Sequence, residues 1–285
     1  MPKFSIVLPV YSELEPNQNP AHARHFRGKT AQRAIKSIMA QQFPDWELII
    51  VDDGCVDGMT PEVLDAFARM DKRIKVFHKK NQNRAIARNF GMKRATGEWI
   101  CWIDSDDEYS TNYLRQLDKA TKDFPEYSIF NFGSILHWPD HHTEIRPVFE
   151  PEIEEDGHVW FKSGYIGTGS FIFKRELWKS NIKYRIPDQE NPYQFAAESK
   201  FDMRYPDDQP DIDNPAGAFT DGVYRHGLSL GNPWGDDALQ FYLLTRDNHS
   251  KPLNILLYVQ YPRAHEEEFE HFGEVFKMGD LSGKD

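Results

Sequence analysis

The chain has 285 residues, of which 39% are hydrophobic and 14% aromatic, enough for one large α/β domain with a substantial core. With 45 acidic against 34 basic residues the formal charge is −11, which disfavours a nucleic-acid surface built from clustered Lys and Arg. Two cysteines, Cys55 and Cys101, exclude a disulfide framework or a cysteine metal cluster, and free thiols are expected. No apolar run approaches the ~20 residues that span a bilayer, and the first residues lack a basic-then-apolar leader. A cytoplasmic protein with no transmembrane segment is the expectation.

Phe4 to Val10 is a continuous apolar run, as in a strand covered on both faces. A polar loop is predicted from Ser12 to about Lys29, and then a helix capped by Thr30 with Ala34, Ile35, Ile38 and Met39 at helical spacing. Trp46 to Val51 reads as a second buried strand ending at Asp52-Asp53-Gly54. Pro61 opens a helix that carries Val63, Leu64 and Phe67. Ile74 to Phe77 is a third strand, Asn83 to Ala95 a helix, and Trp99 to Ile103 a fourth strand running into Asp104-Ser105-Asp106-Asp107. This alternation predicts a parallel, doubly wound sheet with ligands outside the carboxyl ends of its strands. Further on, strands are expected at Tyr127 to Leu136, Ser170 to Phe173 and Leu253 to Val259. Tyr184 to Pro233 reads as long ordered loops or a lid.

The acidic strand ends carry the chemistry. If Asp104-Ser105-Asp106 stays extended, its two carboxylates point the same way and offer hard oxygens to Mg²⁺ or Mn²⁺. A turn with capping aspartates is the structural alternative. Asp52 and Asp53 can accept hydrogen bonds from a base or ribose, or cap a type I turn. Arg84 and Arg88 lie one helical turn apart, either beside a diphosphate or on a solvated face paired with Asp65 or Glu62. Asp236-Asp237 precedes an apolar helical stretch and suits an N-cap, a general base, or both. His265 follows a buried strand and is by itself more simply structural.

As a set, these segments resemble the family 2 glycosyltransferases with the GT-A fold. The resemblance rests on Pro9-Val10-Tyr11, Gln41-Gln42-Phe43, Trp46 to Gly54, Asn81 with Ala87-Arg88-Asn89, Ala95-Thr96-Gly97-Glu98 and Ile103 to Asp107. More loosely, Gly169 to Phe173, Gly235-Asp236-Asp237 and Tyr261 to His265 are similar to the family's acceptor-side strand, base motif and tail histidine motif. Cys55-Val56, Asn83 and Asp236 depart from the usual residues, and the loop after Tyr11 is longer than common.

The resemblance implies a GT-A type, Rossmann-like α/β fold with a mostly parallel sheet and an irregular acceptor-side region. Residues 1–115 would bind the nucleotide-sugar and 116–285 the acceptor, within one domain. It implies a nucleoside diphosphate sugar donor, UDP being the expected nucleotide, a divalent cation (Mn²⁺ or Mg²⁺), a glycan or other hydroxyl-bearing acceptor, and inversion by direct displacement. Pro9, Val10, Tyr11, Asp52 and Asp53 would hold the nucleoside. Asp104, Ser105 and Asp106, with Arg84 and Arg88, would meet ribose and diphosphate. Asp104, Asp106 and His265 would be the metal ligands and Asp237 the base. Two rivals are weaker. A sugar-phosphate nucleotidyltransferase needs a Gly-rich loop directly after the first strand, where this chain has no glycine before Gly28. An inactive nucleotide-sugar-binding module has no need of Asp104, Asp106 and Asp237 together.

Overall fold

The computed structural model describes residues 1–12, 20–81, 84–138, 142–148, 152–153, 159–160, 168–179 and 250–261. Strands and helices alternate through the first third: β1 (Phe4–Val10), α1 (Pro20–Met39), β2 (Trp46–Asp52), α2 (Thr60–Met70), β3 (Ile74–His78), α3 (Arg84–Met92) and β4 (Trp99–Trp102). β1 pairs in parallel with both β2 and β4, and β2 with β3, giving the spatial order β3-β2-β1-β4. The sheet continues beyond β4. Its further strands are β5 (Glu108–Tyr109), β6 (Ile129–His137), β7 (Thr143–Arg146), β10 (Phe171–Lys174) and β11 (Ser250–Gln260). β10 runs antiparallel between β4 and β6, β11 lies parallel to β6, and β5 closes the edge antiparallel to β11. β7 pairs antiparallel with β6, so of the nine strands only β5, β7 and β10 oppose the common direction. A separate ladder joins β8 (Glu152–Ile153) to β9 (Val159–Trp160), and α4 (Tyr113–Asp123), a 3₁₀ turn (Thr168–Ser170) and α5 (Arg175–Lys179) complete the described elements.

The apolar runs of β1 and β2 reflect cover on both faces. Phe4, Ile6, Leu8 and Val10 join Trp46, Leu48 and Ile50 in a core with Ala31, Ala34, Ile35 and Ile38 of α1, Val63, Leu64 and Phe67 of α2, and Leu114 and Leu117 of α4. On the other face, α3 lies so close that a β-carbon on Gly91 would come within 3.3 Å of Val51 Cγ2. Helices thus flank the sheet on both sides, as a doubly wound sheet requires.

Most predicted elements lie within a few residues of their observed bounds; α1 does not. It begins at Pro20, ten residues before Thr30, and replaces part of the predicted loop. Pro20 suits a first helical position, where the missing N–H is one of the unpaired donors anyway. Thr30 is therefore a buried mid-helix residue and not a cap. In α2, Pro61 stands in the first turn as expected. Asp57, two residues before the Met59 N-cap, takes up the amides at the helix entry, its Oδ1 accepting from Met59 and Thr60 at 3.0 and 2.8 Å. Both cysteines are free. The loops expected from Tyr184 to Pro233 lie outside the described residues.

At the amino end of the parallel strands, the buried Glu47 ties four segments together. Its Oε1 accepts from Ser5 Oγ (2.6 Å) and from the amide and hydroxyl of Thr96 (2.7 and 2.8 Å), and Oε2 accepts from Lys75 Nζ (2.7 Å). Burial opposes its charge, but Lys75, Ser5 and Thr96 together hold the carboxyl below the ordinary glutamate range.

Candidate active site

In an open α/β sheet the ligand crevice lies at the carboxyl edge, where the strand order reverses. In this chain the reversal falls between β1 and β4. The register sets Val10 opposite Asp52 and Asp52 opposite His78, so three strand ends are level. β4 runs out beside β1, with the Ile103 amide bonded to Val7 O at 3.3 Å, and delivers Asp104 to the same edge. Pro9, Val10 and Tyr11 flank the reversal from one side and Asp104 to Asp107 from the other.

Asp52 and Asp53 are both buried at the end of β2, and they do different jobs. Asp52 Oδ1 caps the turn by accepting from the Gly54 and Cys55 amides at 3.1 and 2.8 Å, while Oδ2 meets His78 Nδ1 at 2.7 Å. The hydrogen bond to Asp52 raises the His78 pKa, and Asp65 adds to it. Asp53 forms an ion pair with Lys79. Its amide donates to Val10 O (2.8 Å) and the Val56 amide to Ser12 O (2.9 Å), which zips the loops after β1 and β2 together. Burial, followed by Asp52, pushes the Cys55 thiol far up, so this thiol is neutral and a poor nucleophile.

Asp104 to Asp107 form a turn closed by the Asp107 amide on Asp104 O at 3.2 Å. The expectation of an extended Asp104-Ser105-Asp106 is thereby corrected: the chain reverses at once to enter β5, so strand alternation does not aim these carboxylates. What holds the turn is tertiary. Arg88, buried on α3, donates from Nη2 to Asp104 Oδ1 at 2.8 Å. Tyr258 of β11 accepts from the Asp104 amide (3.2 Å) and donates to Asp107 Oδ2 (2.7 Å), and the Tyr261 amide donates to Asp107 Oδ1 (3.1 Å). From α1, Arg33 donates to the Asp106 carbonyl, pairs with Glu108 at 3.1 Å and lies 3.5 Å from the Tyr261 ring centroid.

Burial pushes the Asp107 carboxyl well up, and the charges of Asp106 and Asp104 push it further. Three acids therefore share one small volume, with Asp106 and Asp107 both buried. A divalent cation would relieve that repulsion, and hard carboxylate oxygens are the ligands Mg²⁺ and Mn²⁺ prefer. The donor chemistry fits such an ion, although among the described residues no set of three or more His, Cys, Asp and Glu is placed to hold one. Asp237 and His265 lie outside the described residues. Arg84 opens α3 one turn before Arg88.

Sequence pattern marks none of Arg33, His78, Lys79 and Tyr258 as a site residue, whereas Tyr261 opens the stretch similar to the family's tail histidine motif. His78 and Lys79 directly follow the predicted strand Ile74 to Phe77, a local signal at a strand end. Arg33 and Tyr258 come from distant segments and leave no local mark.

The model for the family described as Glycosyl transferase family 2 matches residues 5–181, more than half of the chain. The chain belongs to this family. An uncharacterized glycosyltransferase of Rickettsia conorii (strain ATCC VR-613 / Malish 7) is 40% identical over 105 residues, covering 37% of this chain and 15% of that protein. The uncharacterized glycosyltransferase EpsJ of Bacillus subtilis (strain 168) is 26% identical over 212 residues, covering 71% and 56%. The chain thus spans only part of the curated relatives it matches. Among solved structures, S. aureus TarS 1–349 gives a TM-score of 0.54 at 16% identity, covering 94% of this chain and 62% of that one. TarS 1–349 in complex with UDP-GlcNAc gives 0.51 at 16%, with 94% and 60% covered. These likenesses place the fold among the GT-A glycosyltransferases, as the sequence led one to expect. Among the described residues no helix is long and apolar enough to cross a membrane.

Proposed function

We propose that this chain is a glycosyltransferase that moves a sugar from a nucleoside diphosphate donor to a hydroxyl-bearing acceptor, with a divalent cation and inversion by direct displacement. The observation that carries this reading is the acidic turn Asp104 to Asp107, clamped by the buried Arg88 at the strand-order reversal of a family 2 chain. S. aureus TarS, which shares the fold, has been crystallised with UDP and with UDP-GlcNAc, which supports a uridine nucleotide.

In this account Pro9, Val10, Tyr11, Asp52 and Asp53 line the nucleoside side, within the donor half of residues 1–115. Asp104 and Asp106, joined by His265, would hold the cation, with Ser105 beside the donor. A cation there neutralises charge on the diphosphate leaving group. Arg88 fixes the Asp104 carboxylate before substrate arrives, so little reorganisation is left for the reaction itself. Arg84, one turn earlier on the same helix, would meet the diphosphate. Asp237, in the acceptor half of residues 116–285, takes the proton from the attacking hydroxyl.

A panel of nucleotide sugars tests this reading, with release of nucleoside diphosphate as the readout. At least one sugar should turn over in the wild type, and Asp237→Asn should slow that turnover by about 10²–10⁴-fold, the usual contribution of a general base. Binding of donors without turnover would instead identify a binding module.

A further inference from the structure

We propose that Tyr258 is a positioning residue for the acidic turn and that Gly169 is the seat that admits its ring. This rests on the reading of Asp104 to Asp107 as the donor-diphosphate site. A single hydroxyl engages both ends of the four-residue turn, accepting from the Asp104 amide at 3.2 Å and donating to Asp107 Oδ2 at 2.7 Å. Asp106 lies between those two points. The turn's own closing bond, Asp107 amide to Asp104 O, is no shorter at 3.2 Å. Without the hydroxyl, the Asp104 amide and the buried Asp107 carboxyl each lose a partner.

The ring is as tightly fixed as the hydroxyl. Tyr258 is 1% exposed, and a β-carbon on Gly169 would be driven into its Cε2, Cζ and Cδ2 atoms. Gly169 belongs to the 3₁₀ turn that leads into β10, so a segment on the acceptor side sets where the hydroxyl stands. Pairing of Tyr258 with Tyr109 and of Val259 with Glu108 fixes β11 against β5, immediately after the turn. Tyr258 is therefore held by one part of the fold and holds another. Burial pushes its phenol far above the ordinary range, so it remains a neutral donor across the working pH range.

The test compares Tyr258→Phe with Tyr109→Phe. Tyr109 is an equally buried neighbour whose hydroxyl bonds to the Trp102 carbonyl at 2.6 Å and not to the turn. Calorimetric titration of UDP in the presence of Mn²⁺ reads donor-site affinity, and urea unfolding reads stability. Tyr258→Phe should weaken UDP binding by about tenfold, the scale of one lost hydrogen bond, while Tyr109→Phe binds as wild type at a comparable loss of stability. Should Tyr258→Phe fail to fold, Gly169→Ala, which keeps the hydroxyl but displaces the ring, decides in its place with the same expected loss. Binding within twofold of wild type by the deciding variant, or equal losses in it and in Tyr109→Phe, overturns the proposal. Asp106→Ala separates the two levels. If it abolishes UDP binding while Tyr258→Phe does not weaken it, only the positioning role falls. If Asp106→Ala binds normally, the donor-site reading fails and the positioning role with it.

Discussion

Arg88 Nη2 stands 2.8 Å from Asp104 Oδ1, with the arginine fully buried and the aspartate side chain 36% exposed. A guanidinium taken out of water needs charged partners to offset its desolvation, and Asp104 is one of them. Asp104→Ala should therefore cost about 2 kcal/mol, below the ~3–5 kcal/mol of fully buried pairs, since water already screens part of this one. Removing both charges in Arg88→Met/Asp104→Ala should restore part of that loss. Urea unfolding of the two single variants and the double variant gives the coupling energy directly. A double variant less stable than either single one contradicts the assignment.

Glu47 makes stability depend on acid. Its folded carboxyl lies below the ordinary value of 4.5, so its contribution is fully present above that value and is lost as the pH falls through the lower folded one. Glu47→Gln should cost on the order of 2 kcal/mol near neutrality, and its gap from wild type should close progressively below pH 4.5. Melting temperatures of both proteins across that range check the sign. A gap that widens in acid contradicts it.

His78 acts in the opposite direction. Its pKa is raised above 6.5 by Asp52 and Asp65, so its contribution is full below 6.5 and is lost as the pH rises through the folded value. The side chain is 45% exposed, which keeps the effect under ~1 kcal/mol. His78→Gln should accordingly lose more stability at about pH 5.5 than at about pH 8, across the span in which histidine changes charge. Thermal unfolding at the two values provides the comparison.

Two glycines with positive φ give a matched pair. Gly54 has φ +84°, and a β-carbon there would stand 2.7 Å from the Asn81 amide nitrogen and 3.2 Å from Lys79 O. Gly58 has φ +72° and nothing within 4 Å. Alanine at either site carries the left-handed backbone cost of roughly 1–2 kcal/mol. Only Gly54→Ala must also move the 79–81 segment, and with it the Lys79 partner of Asp53. It should be the less stable variant and the weaker UDP binder, by denaturation and calorimetry respectively. Equal behaviour of the two would contradict the close approach.

The part of the fold legible in the sequence is the part encoded by local pattern. β1, β2 and β4 show as mainly apolar runs, interrupted only at Ser5 and Glu47, because helices cover both faces, and Asp52, Asp53, Asp104 and Asp106 show as acids at strand ends. The first half of α1 does not show, since its Pro20 to Lys29 stretch carries too few apolar residues for a periodic signal. β5 is only two residues long and takes its strand geometry from β11. Spacing leaves Arg88 either beside a diphosphate or on a solvated face, and its burial against Asp104 is seen only in the fold. Tyr258 acts across 154 residues on Asp104, and no local spacing encodes that contact.

On the proposed reading, Asp104 and Asp106 hold a cation that in turn holds a diphosphate. The most direct test is thermal unfolding of the wild type and of Asp106→Ala with UDP, in Mn²⁺ and in EDTA. At a hundredfold excess over Kd, UDP should stabilise the wild type by about 2.7 kcal/mol, a shift on the order of 5 °C for a chain of this size, and only with Mn²⁺. Asp106→Ala should show no shift in either condition. An equal shift in EDTA, or an undiminished one in Asp106→Ala, would contradict the account.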